Sequence, residues 1–159
     1  MPRVQAIVVR EDRVLLVKHR QGGQEYWCLP GGAQASGETP EQGALRELRE
    51  ECNVTGVAVR ETSHVRYAAD NEAYSFLVDI GDQNPSLGVD PDVSPGHEVL
   101  ADVRWQRLRD VPERNRVYLW GAGLLGTGQF MSEVEGWGYD TSYPGENCLD
   151  SLTRCDSQK

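Results

Sequence analysis

From Val4 to His19 the chain alternates between apolar blocks and one polar break: Ala6-Ile7-Val8-Val9, then Arg10-Glu11-Asp12-Arg13, then Val14-Leu15-Leu16-Val17. Two short apolar runs about a polar turn predict a β-hairpin. Because neither run alternates internally, both strands are expected to be buried on both faces. Gln21-Gly22-Gly23-Gln24 reads as a loop. Tyr26-Trp27-Cys28-Leu29 follows as a short strand stopped by Pro30-Gly31-Gly32.

A different period begins at Thr39-Pro40-Glu41, where an N-cap hydroxyl, a proline at the first helical position and an acid in the first turn start a helix. Its apolar side carries Ala44, Leu45 and Leu48, and it is expected to end near Asn53. Strand patterns return at Val57-Ala58-Val59, at His64-Val65-Arg66-Tyr67 and at Ala73-Tyr74-Ser75-Phe76-Leu77-Val78. Residues 81–98 form an acidic Gly/Pro loop, and Val103-Arg104-Trp105 is a late strand. Val111-Pro112-Glu113 opens a second helix, with Val117, Leu119, Leu124 and Leu125 as its packed face. Strands and helices mixed in this order predict an α/β fold with helices flanking a mixed sheet. Residues 1–131 read as one domain and 132–159 as a peripheral tail without clear periodicity.

Composition narrows the function. A chain of 159 residues suits a single domain. No apolar run approaches the roughly 18 residues a membrane-spanning helix needs. The N-terminal stretch also lacks the layout of a signal peptide, so the cytoplasm is the expected location and no membrane partner is expected. Cys28, Cys52, Cys148 and Cys155 form no metal-binding pair and are read as free thiols, the first two as small buried apolar groups. With 25 acids against 16 bases, the chain is a poor general binder of nucleic acid. A polyanionic small ligand remains compatible if a divalent cation supplies the positive charge.

That cation has a candidate site. Glu47, Glu50 and Glu51 fall within about 100° of one another on a single helix face, where like charges at i,i+4 repel. The surrounding pattern is longer: Gly32, Glu38, Arg46-Glu47-Leu48, Glu50-Glu51 and Asn53-Val54, in the stretch GAQASGETPEQGALRELREECNV. It resembles the box of the Nudix hydrolase family, with Asn53 where the family has glycine. Asn is the next residue after Gly to accept the left-handed conformation that closes a helix. Leu15-Leu16-Val17-Lys18, Trp27, Leu29-Pro30-Gly31-Gly32 and Val103-Arg104-Trp105 resemble the family's flanking strands.

The resemblance implies an α/β/α sandwich with the box on a loop-helix-loop. It also implies a Mg²⁺-dependent hydrolase, Mn²⁺ being able to substitute, that cleaves the pyrophosphate bond of a nucleoside diphosphate linked to another moiety. Nucleoside triphosphates and nucleotide sugars are favoured weakly, since the marks of other subgroups are missing. The implied metal set is Gly31 through its carbonyl, Glu38, Glu47, Glu50 and Glu51, hard oxygen donors of the kind Mg²⁺ prefers. Arg46 would orient Glu47, and Glu98 is the candidate proton acceptor among the acids of the loop, with a plain solvated acidic loop as the alternative. Arg20, Arg66, Tyr67, Tyr74 and Phe76 are candidates for the nucleotide, each with plain packing or a surface role as the alternative, and His19 beside Arg20 reads equally as a phosphate contact or a surface hairpin end. Trp27 and Trp105 are read as core residues. The competing reading is a Nudix-fold nucleotide sensor without turnover, which the four intact glutamates disfavour. The protein is expected to act as a monomer or homodimer on a small nucleotide.

Overall fold

The computed structural model describes residues 1–68, 71–89, 99–111 and 113–124. Among the described residues, eight strands run in chain order as β1 (Arg3–Ile7), β2 (Val9–Arg10), β3 (Arg13–Gln21), β4 (Gln24–Cys28), β5 (Gly31–Ala33), β6 (Val57–Ala68), β7 (Asn71–Asp79) and β8 (Val99–Arg107). The α-helices among the described residues are α1 (Pro40–Cys52) and α2 (Glu113–Gly121), with a 3-10 turn at Leu108–Asp110 before the second. One sheet has the order β5-β1-β7-β6, with β1 and β7 parallel and the other pairs antiparallel. In the second, antiparallel sheet β3 pairs with β2, β4 and β8.

The expected hairpin is only partly present. Val9 and Arg10 do turn back onto Val14 and Arg13, but β1 leaves for the other sheet and lies parallel to β7. One apolar run therefore supplies a strand to each sheet. Two other readings also change. The first two strand patterns after α1 are a single 12-residue strand, β6, whose pairing with β7 slips at Ala58/Arg60 and Glu61/Ser63. Gly31–Ala33 is itself a strand, β5, rather than only a stop signal.

Alternation sorts the core into two layers. Val4, Ala6, Val8, Leu15 and Val17 pack with Ala44, Leu48 and Cys52 of α1. Ile7, Val14 and Leu16 point the other way, toward Leu108, Val111 and Leu119. Helices thus cover opposite faces, the layered mixed α/β arrangement expected. Val14 to Val17 are all buried, which explains why that run lacks polar positions. On α2, Leu119 is buried as expected, whereas Val117 is exposed; Leu125 and the region from 125 onward lie outside the described residues. Cys52 is buried and Cys28 half-buried, both reduced, and burial pushes the Cys52 thiol well above its ordinary value. Among the described residues no helix is long and apolar enough to cross a membrane.

α1 carries its boundaries in the sequence. Thr39 Oγ1 accepts from the Gln42 backbone N–H and the Gln42 side chain accepts from the Thr39 N–H, a reciprocal capping box. At the other end Asn53 adopts φ 53°, ψ 33°, and its N–H donates to the Arg49 carbonyl.

Candidate active site

The four glutamates of the box are held in two groups. Arg46 holds three. Its Nε and Nη2 fork onto Glu38 at 3.1 and 2.9 Å, while Nη1 donates to Glu47 and to Glu50, each at 2.9 Å. Nη2 also reaches the Ala33 carbonyl at 3.0 Å. A guanidinium has five N–H donors in a plane, and this arrangement engages its whole edge. The carboxylates beside it push the guanidinium pKa up, Glu38 foremost, against the opposing effect of burial. In return Arg46 holds the Glu38 carboxyl below its ordinary value, helped by the Ala35 N–H at 2.6 Å and opposed by burial.

The fourth, Glu51, turns inward and is only 2% exposed. Its Oε2 accepts from the Gly31 N–H at 2.8 Å, and its Oε1 lies 3.4 Å from Nε2 of His19, itself buried. The like-charge stack expected from the helical wheel is therefore resolved by side-chain direction: Glu47 and Glu50 go to Arg46, Glu51 to Gly31 and His19. His19, read from the sequence as a phosphate contact or a surface hairpin end, is buried instead. Its signal lay in strand alternation, which puts it on the face of Leu15 and Val17, toward α1.

Glu47 sits against β5. A Cβ built on Gly32 would stand 2.5 Å from Glu47 Oε1, so any side chain there would push the carboxylate away. The C-terminal end of α1 is equally close to the loop after β7. A Cβ on Gly88 would meet the Glu50 carbonyl oxygen at 1.7 Å, and the Gly88 N–H donates to the Glu51 carbonyl at 2.9 Å.

The nucleotide candidates separate. Glu72 accepts from Tyr74 Oη and Arg66 Nε, both at 2.6 Å, with His64 Nε2 at 3.3 Å. His64 stacks on Tyr74 with centroids 4.1 Å apart. Those bonds hold the Glu72 carboxyl below its ordinary value, the Tyr74 bond most, and Glu72 in turn pushes the Tyr74 phenol up. Phe76 is buried in the core beside α1 and takes the packing role. Arg20 pairs with Glu25 at 2.6 Å on the face opposite His19. Tyr67 is described only through its place in β6, and Glu98 lies outside the described residues.

Pairing links the two clusters. Val4 lies opposite Gly32 on one side and Tyr74 on the other, and Tyr74 opposite His64. At about 4.8 Å per strand, Tyr74 stands about 10 Å along one sheet face from the glycine under Glu47. Trp27 and Trp105, expected in the core, are half-buried against its two clusters and also carry cations: Lys18 and Arg104 over Trp27, Arg10 over Trp105. An open cleft lined by Trp27, Trp105, Arg13, Arg104 and Arg107 contains none of the four glutamates. Its arginines already pair with Asp12 and Asp102.

The donor set fits a hard divalent cation by its chemistry: four carboxylates, three of them partly open with side chains 12 to 22% exposed. Among the described residues no three acidic, His or Cys side chains converge as a ready-made cage; Arg46 holds the carboxylates that would form one.

Known proteins share sequence and fold with this chain. The chain is 30% identical over 105 residues to a nucleoside triphosphate pyrophosphatase/Nudix hydrolase fusion protein of Bifidobacterium longum, covering 63% of this chain and 20% of that protein. It is 34% identical over 112 residues to a MutT-like protein of Streptomyces ambofaciens, covering 70% of this chain and 66% of that one. The chain thus spans less than two thirds of either relative. A C. elegans Ap4A hydrolase structure shares the fold at TM-score 0.57 and 20% identity, over 85% of this chain and 98% of that one. The family model for the NUDIX domain matches residues 1–124, and the chain belongs to that family.

Proposed function

We propose that this chain is a divalent-cation-dependent pyrophosphohydrolase acting on a nucleoside diphosphate linked to another moiety, with Mg²⁺ the natural cation. The observation that carries the reading is the carboxylate pair Glu47 and Glu50, held by Arg46 beside Gly32 and half-open to solvent. Glu38, Glu47, Glu50, Glu51 and the Gly31 carbonyl would hold the cation. When bound, such a cation neutralises phosphate charge and acidifies a coordinated water.

The rest falls to the chain itself. Arg46 orients Glu47 and Glu50 and keeps them compatible with one another before substrate arrives. The His64–Tyr74 stack, on the same sheet face as Gly32, offers a flat surface for a nucleobase, and exposed Arg66 offers charge to a phosphate. Glu98 is the proposed proton acceptor on sequence grounds, following Pro95-Gly96 in the acidic loop. Substrates are small nucleotides, nucleoside triphosphates or nucleotide sugars first, and the setting is cytoplasmic.

Phosphate release with Mg²⁺, coupled to a phosphatase and run over about twenty nucleotides, tests this. Turnover of at least one, lost in Glu47→Gln, is the expected result. Tight nucleotide binding with no turnover in either Mg²⁺ or Mn²⁺ would establish the sensor reading instead.

A further inference from the structure

Glu51 occupies a place where a helix of this pattern would ordinarily carry an apolar residue. It shares the buried stripe of α1 with Ala44, Leu48 and Cys52. A carboxylate this deep is costly to bury unless its oxygens are matched. One oxygen is matched by the Gly31 N–H at 2.8 Å, and the other faces Nε2 of His19 at 3.4 Å. The imidazole is itself confined: it is 5% exposed, and the Tyr26 ring stacks on it with centroids 5.6 Å apart and planes 11° from parallel. Tyr26 is the outermost of the three, 38% exposed at the rim.

We propose that His19 is a positioning residue for Glu51. With the Gly31 N–H bonded to Oε2 and the His19 imidazole in ion-pair contact with Oε1 at 3.4 Å, the carboxylate is oriented before a cation arrives, and the Tyr26 ring stacks on the imidazole that faces it. Partners of this kind, one step behind a metal ligand, typically change metal affinity 10- to 100-fold when removed. The proposal rests on the cation-dependent reading of the site. It adds a residue that touches neither substrate nor cation and comes from a different strand than the box.

The test is Mn²⁺ binding to the full chain without nucleotide, followed by the electron paramagnetic resonance of free Mn²⁺. The two variants are His19→Phe, which keeps a ring for Tyr26 to stack on but has no donor, and His19→Gln, which keeps a donor. Binding in His19→Phe should weaken about tenfold or more, with His19→Gln within about threefold of wild type. Phe binding as tightly as wild type overturns the proposal. So does an equal loss in both folded variants, since that would report packing alone. Should wild type bind no Mn²⁺, the cation reading itself fails; should it bind while only the His19 outcome fails, that reading stands and the positioning role falls.

Discussion

Asn53 Nδ2 donates to the carbonyl oxygen of Leu87 at 2.9 Å, and to Ser86 Oγ at 3.2 Å. The residue that closes α1 in the left-handed conformation thereby ties the helix end to the loop after β7. The same loop caps the helix from its own side, with Ser86 N–H on the Cys52 carbonyl and Gly88 N–H on that of Glu51. Asn in place of the family's glycine is then more than a tolerated substitute.

Backbone preference alone makes Asn53→Gly neutral or slightly stabilising; the tether reverses the sign. Two side-chain hydrogen bonds at a solvent-accessible site contribute about 1 kcal/mol together, against a few tenths regained from glycine's freedom at φ 53°. Asn53→Gly is expected to lose about 0.5–1 kcal/mol. Asn53→Val, β-branched and also without the tether, should lose about 2 kcal/mol or more. Urea unfolding measures both, and a Gly variant more stable than wild type would show that the side-chain bonds contribute nothing.

Arg46→Gln should destabilise the metal-free protein by about 2 kcal/mol or more, because Glu38, Glu47 and Glu50 are left facing one another without a cation. Added Mg²⁺ should restore more stability to this variant than to wild type, since the ion no longer competes with a guanidinium for Glu47 and Glu50. Thermal unfolding in chelator and in Mg²⁺ gives the comparison. Equal Mg²⁺ shifts in the two proteins would mean that Arg46 and the cation use different oxygens.

Much of this fold was legible because local rules and tertiary demands agree. Thr39, Pro40 and Asn53 set the limits of α1, and uninterrupted Val14 to Val17 reports a doubly buried strand. The first hairpin is only partly realised for a physical reason: Ala6-Ile7-Val8-Val9 suits a strand in either sheet, and only the parallel partner β7, some seventy residues on, takes β1 away. In the site, spacing marks the carboxylates but not their directions. Helix periodicity puts Glu47, Glu50 and Glu51 on one face; it takes β3 and β5 to turn Glu51 inward onto His19 and Gly31.

That difference in direction separates two substitutions which the helical wheel treats alike. Simple relief of repulsion would leave Glu50→Gln and Glu51→Gln as stable as wild type or more so. In the structure Glu50 makes a half-open i,i+4 pair with Arg46, so Glu50→Gln should cost about 0.5 kcal/mol. Glu51→Gln brings an amide NH₂ to a buried site lined by the Gly31 N–H and His19, and should cost about 1–2 kcal/mol. Both should lower turnover by orders of magnitude. Unfolding in chelator resolves the pair, and stabilisation by both would restore repulsion as the dominant effect.

Glu72 gives the pH dependence a sign. Its carboxyl is held below its ordinary value chiefly by the Tyr74 hydroxyl, then by Arg66, so folding favours the ionised form. A group with a depressed folded pKa stabilises in full above its unfolded value, and that contribution is lost as pH falls through the folded one. The stability difference between wild type and Glu72→Gln should therefore be constant above about pH 5.5 and shrink below about 4.5. Tyr74→Phe removes the largest contributor and should move this loss to higher pH, because the folded and unfolded values then lie closer together. Urea midpoints taken from pH 3 to pH 8 would show it. A wild-type advantage that instead grew on acidification would mean that Glu72 is protonated in the fold and donates to its neighbours.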